Sequence, residues 1–171
     1  MIKKSVLVML VFIFIVLPGF TSGNDEKGKE NSGQTSNETQ NKVSAIKDKT
    51  DNGNADVVFV RAAEGSDRTW TFDVTVFHPD TGWENYADGW DVYLKDGTVL
   101  KPDASSPFTR LLLHPHVGEQ PFTRSQSGIV IPKGVKIVYV RAHDIVDGWG
   151  GREVKVDLKA GEGKGFIVIR K

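Results

Sequence analysis

The chain has 171 residues, with 22 basic and 22 acidic side chains, four histidines and no cysteine. Without cysteine it can build neither a disulfide scaffold nor a thiolate metal site. Its balanced charge provides no basic surface, so neither nucleic acid nor an anionic membrane surface is expected as a partner.

In chain order, the first feature is a leader. Lys3 and Lys4 are followed by an uncharged apolar run, Val6 to Leu17, then by Pro18-Gly19 and the small residues Thr21-Ser22-Gly23. This is the layout of a secretory signal peptide over residues 1–23. The run is about 12 residues, short of the ~20 needed to cross a bilayer, so no membrane span is expected after cleavage. Lipid attachment has no cysteine acceptor in this sequence. The expected location is outside the cytoplasm, periplasmic or extracellular. Cleavage after Gly23 leaves 20 basic against 22 acidic residues and removes both methionines, Met1 and Met9. A soft thioether copper site is then excluded too.

Residues 24–55 are dominated by Lys, Glu, Asp, Asn, Gln, Ser, Thr and Gly, with Val43, Ala45 and Ile46 nearly the only apolar side chains. So little apolar surface does not offset the entropy of ordering a backbone, and the segment reads as a disordered polar linker.

From residue 56 to 171 the pattern changes to β-branched and aromatic residues with a period of two. Expected strands cover 57–62, 69–78, 90–94, 98–101, 109–114, 128–131, 135–143 and 152–158. The clearest is the second, where Trp70, Phe72, Val74 and Val76 share one face. Trp90 has core parity with Val92 and Leu94, and Lys95-Asp96-Gly97-Thr98 supplies a hairpin turn. The apolar run Phe166 to Ile169 is either an added edge strand or a tail. No stretch sustains a helical period. Seven or eight short strands separated by Gly, Pro, Asp and Asn predict an all-β fold, a two-sheet antiparallel β-sandwich.

The segment Val138-Tyr139-Val140-Arg141-Ala142-His143-Asp144, with the glycine-rich turn and closing strand after it, resembles the penultimate hairpin of fibronectin type III and immunoglobulin-like domains. Three blocks carry a second resemblance. They are His78-Pro79-Asp80-Thr81-Gly82-Trp83 with Tyr86-Ala87-Asp88-Gly89-Trp90-Asp91-Val92, Leu113-His114-Pro115-His116 with Glu119-Gln120-Pro121-Phe122-Thr123-Arg124-Ser125, and Arg141-Ala142-His143-Asp144. Together they are similar to a group of small, uncharacterised exported bacterial proteins. The first resemblance implies two packed sheets. Neither implies an activity.

In such a sandwich the connections after His78, after His114-Pro115-His116 and after His143 lie at one pole. All four histidines are therefore expected at one end of the domain. Side chains at i and i+2 of an extended segment face the same side, so His114 and His116 form a pair. Such a pair with His143 and His78 is a candidate zinc or copper(II) site, with Asp80, Glu119 and Asp144 as possible carboxylate ligands. The structural alternative is that these histidines shape turns, since His78 and His114 each precede proline.

The same pole carries Trp83 and Trp149 among glycines. They either fold back to seal the sandwich or stand out to contact a glycan or a protein partner. Arg124 and Arg141 are the arginines placed to join such a contact; Arg141 shares parity with His143 on the strand 135–143, so the two face the same way, and bracing of the long 114–128 connection is the default role of Arg124. No nucleophile elbow, triad context or phosphate-cradling loop is present, so the residues favour a binding protein over an enzyme without deciding between them. Metal-assisted hydrolysis would require the histidine site to hold its ion with an open position.

Overall fold

The computed structural model describes residues 53–171. The leader, and the linker up to residue 52, lie outside the described residues. The folded part begins slightly ahead of its expected start. Ala55 is fully buried, and its N–H is donated to Asp144 Oδ2 over 3.4 Å.

Ten strands follow: β1 Asp56–Glu64, β2 Trp70–Phe77, β3 Ala87–Tyr93, β4 Arg110–Leu111, β5 Phe122–Ile129, β6 Ile137–Asp144, β7 Gly148–Trp149, β8 Val154–Asp157, β9 Glu162–Gly163 and β10 Phe166–Ile169. They form two sheets. One runs β5-β2-β1-β10-β9; the other runs β4-β3-β6-β7, with β8 also pairing β6. The expected β-sandwich is the architecture of the described residues. Inward residues of both sheets make one core: Val60, Phe72, Val74 and Val76 from the first, and Trp90, Val92, Val138, Val140 and Val156 from the second. Trp90 is completely buried, as its parity predicts.

The pairing is not wholly antiparallel, because β10 runs parallel to β1, with Val60 opposite Phe166 and Ala63 opposite Ile169. The run 166–169 is therefore a strand and not a tail. Parallel pairing arises because β8 belongs to the other sheet, so the chain crosses between sheets before it returns beside β1.

Several expected strands differ in extent. The expected strand 98–101 reduces to one bridge, Tyr93 to Val99. The turn before it forms as predicted, with Gly97 in the left-handed region at φ 88° and its N–H bonded to Leu94 O. The expected strand 109–114 shrinks to β4. Thr109 Oγ1 accepts from Val92 N–H at 2.8 Å and donates to Leu100 O at 2.8 Å, so its side chain takes over contacts a ladder would make. The expected strand 128–131 is the end of a longer one, β5, which absorbs the Phe122-Thr123-Arg124-Ser125 segment expected as loop. Only Phe122 and Ile129 of β5 are buried, because it is an edge strand with one wet face. Gly148-Trp149, expected within a turn, pairs with Asp144 and His143 as β7.

Candidate functional site

The connections 78–86, 112–121 and 145–147 meet at one pole. Ala87 pairs with Asp144 across the β3–β6 ladder, Ile145 N–H bonds Tyr86 O, and His116 N–H reaches the 78–86 connection. Within this pole the four histidines fall into two groups.

The first group is a buried node centred on Asp80. Its carboxylate accepts from His78 Nδ1 at 2.6 Å and Ala87 N–H at 3.1 Å through Oδ1, and from His116 N–H at 2.6 Å through Oδ2. His78, Asp80 and His116 are all buried. Burial alone would raise the Asp80 carboxyl. The bonds from His78, from His116 N–H and from Ala87 N–H outweigh it and hold the group below the ordinary carboxylate range. Gln120 completes the node: its Oε1 accepts from His78 N–H at 3.0 Å, and its Nε2 donates to His116 O at 3.4 Å. One carboxylate thus ties together the backbones of both long connections.

The His116 ring stacks on Phe122, with centroids 3.7 Å apart and planes 10° from parallel. Burial pushes its pKa below the ordinary imidazole value, and the charges of Arg124 and His114 push the same way. Its Nδ1 and Nε2, and Nε2 of His78, are buried without a hydrogen-bond partner. His114 lies beside it, ring centroids 4.6 Å apart, as the i, i+2 spacing predicts. His114 is exposed and bonds Pro115 O through Nδ1.

The second group lies on the outer face of the β3–β6 sheet. Tyr139, Arg141 and His143 alternate outward along β6. His143 Nδ1 bonds Asp88 Oδ1 at 2.5 Å, and its ring meets Trp149 edge-on at 4.7 Å and Phe108 at 5.2 Å. The Arg141 guanidinium lies 3.9 Å from the Trp149 ring centre and 4.7 Å from that of Tyr93. One of its nitrogens also faces the buried Asp91 carboxylate at 3.4 Å. Tyr93 stacks on Tyr139 at 5.5 Å and donates its hydroxyl to Glu153 Oε2 at 2.5 Å. Burial and the Glu153 carboxylate push the Tyr93 phenol up to about 12, against the pull of Arg141.

The pole is therefore common to the four histidines but a single centre is not. His78 and His143 each give Nδ1 to a different aspartate, and no group of three or more His, Cys, Asp or Glu among the described residues is arranged to hold a metal ion. Asp144 is turned inward, accepting from Ala55, Val146 and Asp147 N–H groups. Glu119 lies 3.7 Å from Arg124, whose guanidinium also covers Phe122, so this arginine braces the 112–121 connection.

Sequence reasoning left open whether Trp83 seals the sandwich or stands out, and it missed the aliphatic side chains that stand out of this pole. Trp83 is 65% exposed, with only its edge against Tyr86, and Leu113, Val117 and Val146 are 71%, 59% and 58% exposed. Ile145 is exposed beside Val146. For Val117 and Val146 a signal was present, since both are apolar residues outside any expected strand, beside Gly118 and Asp147, whereas Leu113 was hidden within the expected strand 109–114. Phe108, Asp88, Tyr93 and Tyr139 were also missed, although the outward parity of β6 already joined Arg141 to His143.

No family model matches the chain, and no solved structure matches it. A protein of Halomicrobium mukohataei named "Putative lipoprotein" is 39% identical over 107 residues, covering 63% of this chain and 49% of the relative. The chain thus spans about half the length of the curated relative it matches.

Proposed function

We propose that the chain is an exported binding module that engages a protein partner through its loop pole. The observation that carries this reading is the outward display of Trp83, Leu113, Val117 and Val146 from three connections, two of them tied together by the buried Asp80 and the third bonded to Tyr86 O through Ile145 N–H. Large apolar side chains gathered at one end of a domain are unfavourable in water unless something covers them, and an exposed indole is a typical interface anchor. Preorganisation by Asp80 reduces the entropy lost when a partner docks. Export is supported by the leader pattern of residues 1–23 and by the name of the relative, since lipoproteins belong to the cell envelope. The blocks that resemble other small exported proteins make up much of this pole. The test is a comparison of the intact protein with Trp83→Ala/Leu113→Ser in affinity capture from an envelope extract. The reading predicts one or more proteins retained by the first and lost from the second at equal fold stability. Identical retained sets overturn it. If Trp149→Ala alone abolishes binding and the ligand is a polysaccharide, the glycan reading replaces it.

A second reading, a zinc or copper(II) site, is favoured by one observation: three buried ring nitrogens of His78 and His116 without hydrogen-bond partners, next to His114. Neutral imidazole suits both ions. Metal analysis of untagged protein checks it, with about one equivalent bound and lost in His114→Ala/His116→Ala.

A further inference from the structure

At the opposite end of the sandwich, the β1–β2 hairpin, the turn after β5 and the residue following β10 enclose a cleft of about 320 Å³. That volume falls within the range of small-molecule sites. Its apolar surface comes mainly from Ile131, Pro132 and Val135, and its charged rim from Arg68, Lys133 and Arg170, with Glu64 the one acidic side chain among the lining residues. Trp70 and Leu158 lie beneath it as core residues, so its floor is fixed.

Arg170 and Arg68 are brought to the cleft by different means. Arg170 Nε donates to Leu158 O at 2.9 Å, which sets its guanidinium over Trp70 at 5.9 Å from the ring centre. Arg68 occupies a left-handed backbone position, φ 65°, the one non-glycine residue to do so among those described. The hairpin requires that conformation, since Arg68 N–H bonds Gly65 O and Gly65 N–H bonds Thr69 O. Glycine or asparagine would meet the requirement with less strain. An arginine there carries its charge to the cleft at a conformational cost. The neighbouring Asp67 turns its Oδ1 to Thr69, accepting from Thr69 N–H at 3.0 Å and from the Thr69 hydroxyl at 2.8 Å.

We propose that this cleft binds a small organic anion, with an apolar body against Ile131, Pro132 and Val135 and a carboxylate or equivalent charge among Arg68, Lys133 and Arg170. Guanidinium groups favour such oxyanions through paired N–H donors, and the aliphatic lining favours an apolar body. The site is separate from the loop pole and stands whether or not that pole binds a protein.

Benzoate is the probe, with benzamide as its uncharged counterpart and sulfate as an anion without an apolar body. Amide and indole N–H shifts are followed by NMR in the purified protein. The expected result is saturable benzoate binding, with shifts at residues 64–70 and 131–135, half-saturation in the millimolar range or below, and at least tenfold weaker binding of benzamide and sulfate. Arg68→Gly, which keeps the backbone conformation, and Lys133→Glu should each weaken benzoate at least threefold without moving Tm downward. Failure to saturate by ~20 mM, equal binding of benzamide or sulfate, or unchanged affinity in both variants overturns the proposal.

Discussion

Arg141 and Trp149 form a stacked cation–ring pair, the guanidinium 3.9 Å from the ring centre, on the outer face of the β-sandwich. Tyr93 lies on the same arginine, and Asp91 anchors it. A surface arginine would ordinarily sample many rotamers; this one is confined by two aromatic neighbours and a carboxylate. A double-mutant cycle with Arg141→Lys and Trp149→Leu should return a coupling of about 1 kcal/mol, since lysine does not reproduce the planar stack. Strict additivity of the two changes would mean that the contact contributes nothing.

Asp80→Ala should be among the most destabilising single changes at the pole. It leaves His78 Nδ1, His116 N–H and Ala87 N–H without their shared acceptor in a buried site. The expected loss is about 3 kcal/mol or more by denaturant unfolding, and Asp80→Asn, which keeps an acceptor oxygen, should lose less. A loss under ~1 kcal/mol for the alanine variant would show that the node does not hold the connections.

Stability should fall with acidification in two steps. The His116 pKa is lowered from 6.5 on folding, so below 6.5 the unfolded chain takes up protons that the folded chain resists. This contribution is complete above 6.5 and is lost as pH drops through the lower folded value. The Asp80 pKa is lowered from 3.8, so its contribution is complete above 3.8 and is lost as pH falls through its folded value. Thermal melts from pH 8 to pH 3 test both steps. His116→Phe, which preserves the stack on Phe122, should shrink the change between pH 7.5 and pH 5. An unchanged pH profile in that variant would contradict the assignment.

Gly89→Ala should disturb the aromatic face without touching any histidine. A Cβ at residue 89 would overlap the ring of Phe108, which packs against both His143 and Trp149. Overpacking of this kind costs about 1–3 kcal/mol. The accompanying signature is a shifted Trp149 indole N–H resonance in the NMR spectrum; an unmoved resonance would place Phe108 elsewhere.

Trp70, Phe72, Val74 and Val76 made β2 readable from sequence because one face is dry and the other wet. The same alternation identified Trp90 as core and set Arg141 and His143 on one side of β6. The polar edge strand β5 escaped, since a strand whose residues mostly meet water leaves no apolar period to detect. Strand ends did locate the four histidines at one pole. They carried no information on distance, so the split between the Asp80 node and the Asp88–His143 pair emerged only from side-chain geometry. The cleft beneath Arg68 and Arg170 was equally hidden, because it joins a hairpin, a turn and a distant strand end whose proximity depends on the parallel placement of β10.

That parallel pairing of residues 60–63 with residues 166–169 has a consequence for the order of folding. β1 occupies the middle of its sheet, yet one of its neighbours is made from residues about a hundred positions later. Long-range pairings form slowly, and a half-built sheet with an open central strand is a weak fold. The sheet therefore reaches its full strand order only once residues 166–169 are available to pair with β1, however early the β5-β2-β1 part forms.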